Sequence, residues 1–268
     1  MPELPEVETI KRELEPLIKG STIQSVDFYW PKTLRGMNVP DFAREIAGTQ
    51  VAKLNRRGKY LILELTSGKR LLVHFKMTGS FRVDGDIAEW PHTRAVIYLK
   101  DGRKLFFIDP RKFGRFHLIE DNNSPLKELG VEPLSKGFTV SKLSALLSKR
   151  KTPIKIALLD QGLIAGIGNM YADEALFMAG IHPLRPAHSL SQNEIARLHQ
   201  AIPAVLHRAI TNKGASIVNY FRPGGERGTA HSHFKVAHRK GRCSVCPEPV
   251  KRINIRGRGT YYCPSCQH

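Results

Sequence analysis

The chain has 268 residues, 41% of them hydrophobic, enough to bury one large core or two of ordinary size. Its 42 Lys and Arg against 24 Asp and Glu give a formal charge of +18, spread along the sequence and not confined to a tail; the partner this favours is a polyanion, nucleic acid first. No apolar run reaches transmembrane length and no apolar h-region opens the chain. This argues against a membrane partner and a secretory signal, and predicts a cytoplasmic location.

Met1-Pro2-Glu3-Leu4-Pro5-Glu6 opens the chain. Removal of Met1 would leave Pro2 with a free secondary amine. A chain-terminal amine titrates at roughly 7.7–8.0, so part of it is unprotonated and nucleophilic near neutral pH. Val7, Ile10, Leu14, Leu17 and Ile18 recur at helical spacing and predict a helix over Pro5 to Ile18, with Gly20 at its carboxyl cap. Pro2 and Glu3 then sit at its positive end, where the helix dipole disfavours a protonated amine.

The next hundred residues read as strands. Tyr60 to Leu65 and Arg70 to Phe75 flank the turn Thr66-Ser67-Gly68-Lys69. Ala95 to Leu99 and Lys104 to Ile108 flank a second turn, whose Asp101-Gly102 pair predicts a tight primed turn. Their Val, Ile, Leu, Tyr and Phe content suits a β-sandwich or barrel core. A polar stretch from Glu120 to Pro125 marks a domain boundary, and beyond it the pattern turns helical. Thr152-Pro153 predicts an N-cap followed by proline at the first helical position. Ser191-Gln192-Asn193-Glu194 predicts a capping box. Ile195, Leu198, Ile202, Val205, Leu206 and Ala209 then form one apolar face, interrupted by Pro203.

All four cysteines, Cys243, Cys246, Cys263 and Cys266, lie in the last 26 residues with the spacing Cys-x2-Cys-x16-Cys-x2-Cys. Two tight turns can offer four thiolates to one tetrahedral Zn²⁺, and a full protein ligand set makes the site structural. Lys251, Arg252, Arg256 and Arg258 lie between the pairs, where a small hairpin can reach a phosphate or a groove. Asp109-Pro110-Arg111-Lys112-Phe113-Gly114-Arg115 reads as a cationic turn with an aromatic tip, suited either to wedging between bases or to an ordinary exposed turn; Met77 has the same two readings. Gly166-Ile167-Gly168-Asn169 precedes a helical stretch, where backbone N–H groups can bind a phosphate oxygen.

These segments together resemble the bacterial formamidopyrimidine-DNA glycosylase family, which includes the endonuclease VIII-like enzymes. The resemblance rests on Pro2 to Glu8, Arg56-Arg57-Gly58-Lys59-Tyr60, Asp109 to Gly114, Gly166 to Glu174, Gly257-Arg258-Gly259-Thr260 and the cysteine spacing, in the family's order. It implies an α+β fold of two domains: an N-terminal helix on a β-sandwich over residues 1–120, a linker over 121–138, a helical helix–two-turn–helix domain over 139–230 and a zinc finger over 231–268. It also implies Pro2 as nucleophile and Glu3 as its acid–base partner, with Lys59 and Arg258 completing the catalytic set. Glu6 and Glu174 match supporting acids. His74 and Asn169 match phosphate-holding positions beside Lys59 and Arg258. Met77, Arg111 and Phe113 match residues that fill the gap left by an extruded nucleotide. His92 and Lys155 match contacts to the DNA backbone.

The implied activity is that of a bifunctional glycosylase and AP lyase acting as a monomer on damaged double-stranded DNA, with one structural Zn²⁺. Between Gly214 and Gly241 the chain departs from the formamidopyrimidine branch. Val218-Asn219-Tyr220 follows Ser216-Ile217, Ala230-His231 follows the Gly-rich loop, and Ala237-His238-Arg239 replaces Tyr-Gly-Arg. Oxidised purines such as 8-oxoguanine and oxidised pyrimidines therefore both stay open as substrates. A non-catalytic nucleic-acid-binding zinc protein needs the same charge and cysteines but has no use for Pro2 or Glu3.

Overall fold

The computed structural model describes residues 1–120, 124–217, 220–239 and 241–268. The Asp121 to Asn123 part of the expected linker and the Val218-Asn219 step lie outside the described residues. The chain forms two compact units that do not follow chain order: Met1–Lys127 with Lys213–Thr229, and Glu128–Asn212 with Ala230–His268. Lys213–Thr229 thus packs with the N-terminal unit, although the sequence pattern places it with the helical segment.

The first unit begins with α1 (Leu4–Ile18), whose apolar stripe of Val7, Ile10, Leu14 and Ile18 is fully buried, whereas Leu17, expected with them, is 41% exposed. Two sheets follow. One has the order β1 (Ile23–Phe28), β7 (Thr93–Leu99), β8 (Lys104–Ile108), β6 (Ser80–Val83). The other has the order β2 (Leu34–Arg35), β9 (Arg115–Ile119), β5 (Arg70–His74), β4 (Tyr60–Leu65), β3 (Val51–Arg57). Helix α2 (Val39–Ile46) adds Phe42 and Ile46 to the same core as α1 and both sheets. Phe81 and Phe107 of one sheet meet Phe116 of the other, at centroid distances of 6.2 and 4.8 Å, inside this core.

Both predicted hairpins are present, but the second lacks the expected primed turn. A primed type I turn needs positive φ at both central residues. Of Asp101 and Gly102 only the glycine has it, at +90°. Leu99 N–H donates to Arg103 C=O and Gly102 N–H to Leu99 C=O, so three residues separate the closing pair and the loop takes a type I turn with a left-handed glycine. The two-residue primed turn occurs instead at Arg256-Gly257, where φ is +48° and +77°.

The second unit contains α3 (Val140–Leu147), α4 (Ile154–Leu159), α5 (Asn169–Ala179), α6 (Gln192–Thr211) and a terminal hairpin of β10 (Lys251–Ile255) and β11 (Arg258–Tyr262). Ser191 and Glu194 form the predicted capping box of α6, which runs on through Pro203. The start of α4 is shifted by one residue from expectation. Pro153 is its N-cap, because Thr152 and Pro153 are held extended by bridging to Pro186 and Ala187. Among the described residues no helix is long and apolar enough to cross a membrane.

Candidate active site

In the first unit Pro2 and Glu3 are buried at the amino end of α1, and Met1 is 41% exposed. Glu3 is the N-cap of the helix. The fully buried Glu6 carboxylate accepts from Glu3 N–H at 2.8 Å through one oxygen and from Ala215 N–H at 2.8 Å through the other. One side chain therefore fixes the peptide next to Pro2 and ties the Lys213–Thr229 segment to the helix start. The same segment is anchored further along α1, where Arg222 pairs with Glu13 at 2.7 Å and Tyr220 enters the core.

The β3–β4 turn is locked onto α1 as well. Arg56 Nε reaches Glu8 at 2.9 Å and its Nη1 reaches Gly58 C=O at 3.1 Å. Burial works against the Glu8 charge, but hydrogen bonds from Arg12 and Arg56 outweigh it and hold the carboxyl below its usual range. Lys59 is the second residue of this turn and is 7% exposed. Tyr60 pairs with His74 across the strands, ring edge to face at 4.7 Å. Burial, then the nearby Lys76, Lys59 and His117 charges, push His74 down to about 3. Its Nδ1 accepts the Lys76 N–H at 2.9 Å, so the neutral ring carries its proton on Nε2, as a donor.

Met77 and Phe113 are exposed apolar side chains, and Arg111 lies over the Phe113 ring at 4.9 Å. Buried Asp109 organises their turn: its carboxylate accepts from the Thr78 hydroxyl and from Gly114 N–H. His92 is exposed with φ of +71°, and its C=O accepts the Asp109 N–H at 3.0 Å. Asp109 falls in the turn motif read from the sequence, but its partner Thr78 carries no signal there, since strand pairing sets their contact.

In the second unit Asn169 is the first residue of α5. Its Nδ2 donates to Gly259 C=O at 2.8 Å, which ties the helix start to the hairpin that carries the exposed Arg258. Its Oδ1 is buried and has no hydrogen-bond partner among the described residues. Lys155 is not on the surface where a backbone contact would need it. It is fully buried, with Nζ 2.6 Å from Asp173 and 2.6 Å from Asn169 C=O. The other Asp173 oxygen accepts from Tyr261 N–H at 3.1 Å, so the pair joins α4, α5 and β11. Burial pushes the Asp173 carboxyl up to about 6, against the pull of Lys155. Glu174 is buried and accepts the N–H groups of Lys235, Val236 and Ala237; burial raises its pKa although those three bonds favour the charge.

The four cysteine sulfurs lie within 4.8 Å of one another, with separations of 3.4 Å (Cys246–Cys263), 3.5 Å (Cys246–Cys266) and 3.9 Å (Cys243–Cys266). Zn–S bonds of about 2.3 Å at tetrahedral angles place sulfurs about 3.8 Å apart, so the cluster fits a tetrahedral metal ion.

The fold class is thus a two-domain α+β architecture whose helical part ends in a four-cysteine hairpin. Residues 1–116 match the formamidopyrimidine-DNA glycosylase N-terminal domain, and residues 129–220 match the formamidopyrimidine-DNA glycosylase H2TH domain. The formamidopyrimidine-DNA glycosylase of Chloroflexus aurantiacus is 44% identical, over 100% of this chain and 98% of its own length. That of Geobacillus kaustophilus is 43% identical over 100% of both. Among solved structures, MutM (Fpg) of Thermus thermophilus aligns with a TM-score of 0.91 at 40% identity, covering 99% of this chain and 98% of that one. The Lactococcus lactis Fpg, solved with DNA containing an abasic site, aligns with a TM-score of 0.92 at 34% identity over 99% of each chain. The chain belongs to the formamidopyrimidine-DNA glycosylase family.

Proposed function

We propose that this chain is a bifunctional DNA glycosylase and AP lyase of base excision repair, removing formamidopyrimidine, 8-oxoguanine and related oxidised bases from duplex DNA. The observation that carries the mechanism is the Pro2–Glu3 pair held at the start of α1 by the buried Glu6 carboxylate. Once Met1 is removed, the Pro2 nitrogen attacks C1′ of the damaged nucleotide. The glycosidic bond breaks, and its electron pair leaves with the base, which takes up a proton. Glu3 protonates O4′ as the sugar ring opens to an iminium. A secondary amine leaves no N–H proton on that iminium, so the ion persists as an electron sink. Successive β- and δ-elimination then expel the 3′- and 5′-phosphates.

A stacked base is out of reach of this nitrogen, so the nucleotide is extruded at a cost of roughly a few kcal/mol. Met77, Arg111 and Phe113 offset this by occupying the gap and meeting the orphaned base. Lys59, neutral His74, Asn169 and Arg258 hold phosphates, and His92 adds a backbone contact. Lys155 acts indirectly, through Asn169. The four cysteines would hold one Zn²⁺, which gives the hairpin the rigidity that its small size cannot supply. The named relatives are bacterial, and the enzyme's place is at the nucleoid in the cytoplasm.

Single-turnover incision tests the assignment on a duplex panel carrying 8-oxoguanine, formamidopyrimidine or an oxidised pyrimidine. Glu3→Gln lowers excision by about 10²–10⁴-fold, and Pro2→Gly, whose primary amine gives an imine that can shed its proton, lowers the yield of the β,δ-elimination product. Binding by both variants still weakens linearly in log[salt]. Equal incision by all three proteins would remove Pro2 and Glu3 from the mechanism, and salt-dependent binding with no incision by any of them would leave only a DNA-binding role.

A further inference from the structure

Met77 and Phe113 stand on different loops, one between β5 and β6, the other between β8 and β9. Strands β6 and β8 are paired, and Ser80 opposite Ile108 is the last register position before both chains leave the sheet. Beyond it no ladder fixes the spacing of the two exposed apolar tips, which are 39% and 44% exposed.

A buried polar cluster replaces the ladder. Thr78 is 5% exposed and Asp109 1%. The Thr78 hydroxyl donates to Asp109 Oδ1. Arg111 N–H lies 3.3 Å from both Thr78 Oγ1 and Asp109 Oδ1, and Gly114 N–H donates to Asp109 Oδ2 at 2.7 Å. Asp109 is itself pinned by β7 and the residue before it: its N–H donates to His92 C=O at 3.0 Å, and its C=O accepts from Arg94 Nε at 2.8 Å. Gly114 is pressed against the core, where an added Cβ would fall 2.4 Å from Phe107 Cζ. The Arg111–Phe113 tip therefore has both ends tied to one carboxylate, and Thr78 ties the residue next to Met77 to that same carboxylate.

We propose that Thr78 is a positioning residue for base extrusion: its hydroxyl, through Asp109, sets the spacing between Met77 and the Arg111–Phe113 tip. The inference rests on the gap-filling role given above to those side chains. The chemistry is specific. A hydroxyl can donate to the carboxylate and accept from the Arg111 amide at once; a methyl of the same shape can do neither.

The test is single-turnover incision by Thr78→Val, Thr78→Ser, Met77→Ala and Phe113→Ala on two duplexes that differ only at one nucleotide. One carries an oxidised base paired with cytosine, which must be unpaired and unstacked. The other carries an abasic site, which has no base to extract. Thr78→Val is expected to lower incision at the oxidised base roughly tenfold, the order of one lost buried hydrogen bond, and to change abasic cleavage by less than about twofold. Thr78→Ser restores the rate. Met77→Ala and Phe113→Ala show the same bias toward the abasic duplex. Equal losses by Thr78→Val on both duplexes would reduce Thr78 to a structural role and overturn the proposal. So would indifference of Thr78→Val while the two tip variants discriminate. Tip variants that do not discriminate overturn the gap-filling role and the proposal with it.

Discussion

The two compact units are held together by different physics. The first closes two sheets and α1 around Phe75, Phe81, Phe107 and Phe116, all fully buried. Its buried site charges, Glu3, Glu6, Lys59 and Asp109, accompany that aromatic cluster. The second pairs a buried cation with a buried anion, Lys155 and Asp173 at 0% and 1% side-chain exposure, sets Glu174 under three amide donors, and ends in a hairpin whose centre is four cysteines. Apolar burial is indifferent to pH and metal, whereas ion pairs and thiolates respond to both. The parts expected to hold phosphate on the second unit thus depend on a metal ion in a way the first unit's sandwich does not.

Metal removal separates the two most sharply. Structural Zn²⁺ in small hairpins contributes about 10–16 kcal/mol of apparent folding free energy. Chelation should therefore abolish amide-exchange protection across Lys251–Tyr262 and DNA binding with it, while β4 and β5 keep their protection. Equal loss in both units would erase the contrast. Next comes the apolar core: Phe107→Ala should cost about 3–5 kcal/mol in the first unit, read as faster exchange in β7 and β8, with no change in metal affinity.

The smallest effects are those of pH, and they have opposite signs. Between about pH 4 and 6 the folded second unit keeps a proton on Asp173 that the unfolded chain has released. That stabilisation is complete below the unfolded value and lost as pH rises through about 6. His74 is neutral when folded down to about pH 3, while the unfolded imidazole gains a proton below roughly 6.5. Its contribution is complete above that value and lost as pH falls toward 3. Exchange rates at α5 and at β5 should therefore change in opposite directions from pH 4 to 6, by roughly 1–3 kcal/mol each. Asp173→Asn should flatten the first response and His74→Phe the second; parallel slopes would contradict both assignments.

What the sequence disclosed was local or spaced by a rule. The α1 stripe, the two hairpins, the Ser191–Glu194 box and the cysteine spacing all follow from periodicity or turn chemistry within a few residues. What it hid was long-range. Glu6 meets Ala215 across 209 positions and Thr78 meets Asp109 across 31, and no single-sequence pattern carries such a pairing. Lys155 matches a DNA-backbone contact by resemblance alone; its burial rests on the Asp173 carboxylate, 18 residues on, and the Asn169 C=O, partners that no local pattern announces. The Asp101-Gly102 pair does not reveal its turn type, because that depends on which residues close the loop, and Leu99 with Arg103 closes it one residue wider than a two-residue primed turn allows.

The central claim is a covalent bond between the amino-terminal nitrogen and deoxyribose. Borohydride reduction during turnover on an abasic duplex, followed by mass spectrometric mapping of the trapped peptide, tests it most directly. The expected result is a sugar adduct on Pro2 in chains that have lost Met1, and none in chains that retain it. An adduct on Lys59 or another lysine, or full cleavage by chains still bearing Met1, would contradict the account.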